Sequence, residues 1–169
     1  MILLIPVSPE VPKLHRPKLW PALVVVLTIS IVFLAAEPII KRDSQYIEDI
    51  ETVLESNAPA STDILLKKRP LLKIAPAKGD WDAKRLVLAN FIHATPLHLL
   101  LNLVGVFAGV RICTTFLPFL AVISIFLLGG SLGLCTSILV TEQFSPYIPH
   151  VRASAGIFAL MGAYYVYNF

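Results

Sequence analysis

The chain has 169 residues, 56% of them hydrophobic and 15% charged, with a mean hydropathy of +0.76. That composition excludes an ordinary soluble domain and fits an all-α polytopic membrane protein. A formal charge of +3, with no basic patch interleaved with aromatics, argues against a nucleic-acid partner; the lipid bilayer is the partner the composition implies.

Residues 1–19 read as a Pro-rich tail. The apolar start Met1 to Ile5 is too short for a signal peptide, and prolines follow at once. Lys13, Arg16 and Lys18 face a single acid, Glu10, which puts the tail on the cytoplasmic side. The short tail and basic flank suggest a bacterial inner (cell) membrane. Trp20 and Pro21 then open a first span, residues 20–36, with Trp20 at headgroup level.

Residues 37–90 read as a long extracytoplasmic loop whose nine basic and nine acidic residues cancel. Within it Ile47, Ile50, Val53 and Leu54 recur at helical spacing behind Asp43-Ser44, predicting a short amphipathic helix in the headgroup layer. Asn57-Ala-Pro-Ala-Ser61 breaks it. Lys67-Lys-Arg69 reads as a solvated or headgroup-contacting cluster, and Trp81 as an interfacial anchor.

Phe91-Ile-His-Ala-Thr-Pro-Leu-His-Leu-Leu-Leu-Asn102 carries strongly polar side chains into the head of an apolar run. Thr95 followed by Pro96 predicts an N-cap with proline at the first helical position. A helix starting there places His98 and Asn102 one turn apart on one face, with His93 just outside. Facing lipid, each would cost on the order of 2–7 kcal/mol, so they must face other helices or a wet cavity. Interhelical hydrogen bonding and a functional site both remain open. A metal site is disfavoured, because a five-residue separation splays His93 and His98 on a helix and no nearby carboxylate completes a set.

The apolar stretch from Leu97 to Val140 is too long for one helix and is broken around Arg111 to Pro118. The third span, from Pro118 to Val140, contains Gly129 and Gly133, a spacing that admits another helix closely. Cys113 and Cys135 read as small packing residues. After a polar loop, a fourth apolar segment runs from Ala153 to Phe169 and has Ser154 at its mouth. A serine there commonly bonds back to a carbonyl or packs on a neighbour. Ala155, Ala159 and Ala163 form a small-residue stripe below it.

Taken together, these segments resemble the rhomboid intramembrane serine proteases. The family pattern H-x4-H-x3-N stands here as His93, His98 and Asn102. Arg85 resembles the arginine of the family's first-loop motif, and Ser154 with Phe158-Ala-Leu-Met-Gly162 resembles its serine motif. The likeness covers residues 80–169 and implies a rhomboid-like partial bundle of about four transmembrane helices, with a core at 91–169. It also implies a serine endopeptidase cleaving transmembrane protein substrates without a cofactor or metal. In that reading Ser154 is the nucleophile, and His98 and Asn102 are oxyanion donors. His93 and Arg85 support them, and Phe158 is an aromatic that packs against the general-base histidine.

The pattern is not fully matched. The base histidine of the family lies on a sixth helix, and no histidine follows Ser154 here. His150, four residues upstream, lies in a loop that orients a base poorly. Arg152 and Ala155 stand where the family has glycines. The expectation is therefore a C-terminally truncated rhomboid-type sequence, inactive alone, with the small stripe facing lipid. The alternative is a rhomboid-like pseudoprotease that binds transmembrane segments without cutting them.

Overall fold

The computed structural model describes residues 16, 18–55, 68–73, 82–141 and 153–168, without the side chains of 50–55, 72–73 and 141. Five α-helices follow one another: α1 Trp20–Glu55, α2 Ala83–Leu88, α3 Pro96–Cys113, α4 Phe119–Thr141 and α5 Ser154–Asn168, with a 3₁₀ turn at Pro70–Lys73 between the first two. Among the described residues there is no strand. Helices α1, α3 and α4 are long and apolar enough to cross a membrane. Helix α5 is 15 residues long, roughly 22 Å at 1.5 Å per residue. The molecule is an all-α membrane bundle.

Helix α3 turns its small and polar side inward and its leucines outward, whereas α4 buries Val122, Phe126, Leu134 and Ile138. On α3 the buried positions are Asn102, Val106, Val110 and Cys113, whereas Leu97, Leu100, Leu101 and Val104 are exposed. Lipid is as apolar as leucine, so burying leucine gains little, and close backbone approach decides which face turns inward. Outward hydroxyls are satisfied within their own helix. Thr28 donates to the Val24 carbonyl at 2.8 Å, Ser124 to Leu120 at 2.9 Å and Thr136 to Leu132 at 3.0 Å, as hydrocarbon requires.

The helices alternate in direction. Ala22, Val25 and Ile29 of α1 share a core with Val106, Val110 and Cys113 of α3, while Ala36 packs with Ile92 at the other end. Helix α5 lies between α3 and α4. Ala155 and Ala159 sit on Gly133 and Gly129, so the alanine stripe expected to face lipid is, over these two residues, the α4–α5 seam. Two rows of small residues approach more closely than either could approach a leucine face.

Helix α1 also departs from expectation. The amphipathic segment past Ala36 is not a separate helix; α1 runs unbroken through Pro38 to Glu55. Pro38 deletes one backbone hydrogen bond, but the emerging helix is held from outside. Within the helix, exposed Lys41 pairs with Glu37 at 2.8 Å; the outside hold is at Asp43. Buried Asp43 takes Arg69 at 2.5 Å and the Leu71 N–H at 3.1 Å. Arg69 is therefore an anchor of the 3₁₀ turn, and of the Lys67–Arg69 cluster only Lys68 is described as exposed.

Candidate functional site

Thr95 is extended (φ −138°, ψ 154°), and its Oγ1 accepts from the His98 N–H, with Pro96 opening α3. This cap, the one the sequence predicts, starts α3 directly beneath the loop that carries His93. That loop is itself tied to α4. Asn90, fully buried, donates from Nδ2 to the Leu86 and Val87 carbonyls at 3.1 and 3.2 Å and to Ser131 Oγ at 3.3 Å. Its Oδ1 finds no donor among the described residues and lies against Gly130, where any Cβ would collide with it. Sequence reasoning missed Asn90. The small, polar run Gly129-Gly130-Ser131 was its only trace.

His93 is fully buried. Its Nδ1 lies 3.2 Å from the Phe91 carbonyl; a carbonyl only accepts, so Nδ1 carries the proton and Nε2 is the acceptor. Nε2 has no partner among the described residues. Burial pushes the pKa down to about 4, helped by nearby His98 and opposed by the Phe91 bond, so the ring is neutral at pH 7. The His98 ring stands edge-on at 5.3 Å and Phe33 of α1 at 6.5 Å. Phe33 is a second residue the sequence did not flag.

Asn102 is 5% exposed, and its Nδ2 donates to no described acceptor. The packing of α3 on α5 sets its level. A Cβ on Gly105 would meet Ile157 at 3.0 Å, and one on Gly109 would meet Leu160 at 3.1 Å. The two helices therefore run parallel with a near-constant register, and one turn above Gly105 that register brings Asn102 level with Ala153 and Ser154. His98 lies one further turn toward the mouth, half-buried. Cys113 Sγ contacts the Leu160 carbonyl at 3.4 Å and closes the far end of the same seam.

Ser154 is half-buried at the first residue of α5. The first bond into the helix is Ile157 N–H to Ala153 C=O at 3.2 Å, so the N–H groups of Ser154, Ala155 and Gly156 have no intrahelical acceptor. Ala153, at the cap position, offers no side-chain oxygen to them. One level of the bundle thus carries a hydroxyl, first-turn N–H groups and an amide that has no acceptor among the described residues. An arrangement of this kind suits a developing negative charge.

Arg85 is on α2, half-buried, with its guanidinium 3.8 Å from Asp82. Phe158, one turn below Ser154, is 69% exposed. His150 and Arg152 lie outside the described residues, as do Trp81 and Lys67. Among the described residues no cluster of His, Cys, Asp or Glu could hold a metal ion.

Scanned against protein-family models, residues 80–169 match the Rhomboid domain. Neither the curated proteins nor the solved structures contain a match.

Proposed function

The chain belongs to the rhomboid family, integral membrane proteins that include serine proteases and protease-like members, and from that premise we propose that residues 91–169 carry the acyl-transfer site of an intramembrane serine endopeptidase acting on transmembrane protein substrates. The observation that carries this reading is the buried Asn102 amide without an acceptor, level with Ser154.

In the proposed reaction Ser154 Oγ adds to the carbonyl carbon of the scissile peptide and gives up its proton to a base. The carbonyl π pair moves to oxygen. His98, Asn102 and the Ser154 N–H donate to that oxyanion, each such donor being worth on the order of 10²-fold in rate. Collapse expels the amine, which takes the proton, and water then hydrolyses the acyl-enzyme. Buried His93 keeps a neutral ring against His98 and orients it; Arg85 holds the loop helix above the site. No histidine follows Ser154 in the sequence, so this reading names no general base. A serine without a base is a poor nucleophile. Membrane localisation in a bacterial inner membrane, with the N-terminus cytoplasmic, completes the reading.

Arg152 and Ala155, where the family motif has glycines, favour a second reading: a pseudoprotease that binds transmembrane segments uncut. Labelling the gene's full product in its own membranes with a fluorophosphonate separates the two. Labelling that is lost in Ser154→Ala and falls at least about tenfold in Asn102→Ala supports the protease. Labelling that persists in Ser154→Ala places the nucleophile elsewhere. An unlabelled product that still crosslinks to a transmembrane peptide is the binder. The 169-residue polypeptide alone, reconstituted with a transmembrane substrate, is expected to leave it uncut.

A further inference from the structure

We propose that the end of the bundle opposite Ser154 binds an anionic phospholipid, with its phosphate held by Arg16 and Lys18 and an acyl chain laid in the cleft between α1 and α4. The first observation is a hollow of about 580 Å³ where α1 begins and α3 turns into α4, lined by Arg16, Lys18, Trp20, Thr115 and Phe119 among others. Both cations are exposed, and neither has an ion-pair partner among the described residues. Arg111 lines the adjoining hollow, which shares Thr115 and Phe116 with the first. Every acidic residue among those described lies either on α1 from Glu37 onward or at Asp82, toward the other end of the bundle. Among the described residues, then, no acid neutralises the cations of the hollow. Because α1 and α4 begin there and α3 ends there, it sits at membrane–water level, where an anionic headgroup is found.

The second observation is independent of charge. From Phe119 the hollow continues into an apolar cleft of about 220 Å³ between α1 and α4, walled by Val25, Thr28, Ile123 and Phe126 among others. Past Thr28 and Phe91 the cleft opens into a broader apolar furrow of about 680 Å³ beside Val32 and Val87. The Trp20 and Phe119 rings, edge to face at 5.1 Å, form the lip between the polar and apolar parts. Helix α1 is packed on α3, and its seam with α4 is the loose one. A cationic cup leading through an aromatic lip into an apolar slot matches one chemical shape: a phosphodiester head with a hydrocarbon tail. A free phosphate would use only the cup, and a neutral zwitterionic lipid would gain little from the unpaired cations.

The test uses the protein reconstituted with Trp81→Phe, so that of its two tryptophans only Trp20 fluoresces. Quenching by phosphatidylglycerol brominated in its acyl chains is compared with quenching by the same phosphatidylcholine. Each near-surface cation contributes about fivefold, so selectivity for phosphatidylglycerol of at least about tenfold is expected. Arg16→Gln with Lys18→Gln should bring it near one, and both residues are exposed, so the fold is unaffected. Thr28→Phe fills the slot and should weaken quenching by both lipids, with helicity by circular dichroism unchanged. Equal quenching by the two lipids, or selectivity that survives the double variant, overturns the proposal. So does relief of quenching by inorganic phosphate beyond that of sodium chloride at equal ionic strength, which would mark a free-anion site. None of these readouts depends on Ser154.

Discussion

Gly133 of α4 and Ala155 of α5 are in direct backbone-level contact: a Cβ on Gly133 would lie 2.6 Å from the Ala155 methyl. Gly129 and Ala159 repeat the contact one turn along. This pairing holds α5, and with it Ser154, against the bundle. Overpacking a tight seam costs typically about 1–3 kcal/mol. Gly133→Val is expected to lower the melting temperature in detergent and loosen α5 in hydrogen exchange. Gly162→Ala, where nothing lies within 4 Å of the added Cβ, should do neither and serves as the control.

Asn102→Ala separates site from glue. The Nδ2 group has no acceptor among the described residues, so its removal should change stability by less than about 1 kcal/mol. If the amide were interhelical glue, the loss would be larger and would come without any effect on probe labelling. Thermal melting and fluorophosphonate labelling of the same variant give the two readouts.

His93 predicts a pH dependence with a definite sign. The folded protein holds its pKa at about 4, below the ordinary 6.5, so between those values the unfolded chain binds more protons than the folded one. Stability is then full above about pH 6.5 and declines as pH falls toward 4. The total is on the order of 3 kcal/mol. Melting curves across that window should show the slope, and His93→Gln should remove its share.

Arg69→Ala should be costly although the residue lies outside the membrane helices. It would leave Asp43, 4% exposed, without its cation, and stranding a buried charge costs about 3–5 kcal/mol. Asp43→Asn, which keeps a carbonyl for the Leu71 N–H, should cost less. Limited proteolysis near residues 68–73 is expected to accelerate in the first variant and much less in the second.

Asn90→Ala should free the loop that carries His93 from α4. Because Asn90 and Ser131 share one bond at 3.3 Å, the losses in Asn90→Ala and Ser131→Ala should be less than additive. A double-mutant cycle by thermal melting measures that coupling.

Much of this protein is legible in its sequence because hydrocarbon imposes a simple rule: backbone groups must pair within a segment, so long apolar runs become helices. The start of α3 at Thr95-Pro96, the break before Phe119 and the pairing of His98 with Asn102 on one face all follow from local chemistry. The likeness of residues 80–169 to a known family rests on those same local motifs. What spacing could not reveal was partnership. Whether Ala155 and Ala159 meet lipid or glycine, whether Arg69 meets solvent or a buried Asp43, and whether Asn90 reaches Ser131 all depend on residues 22 to 41 positions away. That the segment after Ala36 continues α1 was hidden for a related reason: charge marks where a helix leaves the membrane, whereas only contacts beyond it decide where the helix stops. The level of Asn102 with Ser154 likewise belongs to the fold alone, because it follows from the register of α3 on α5, set by Gly105 against Ile157 and Gly109 against Leu160.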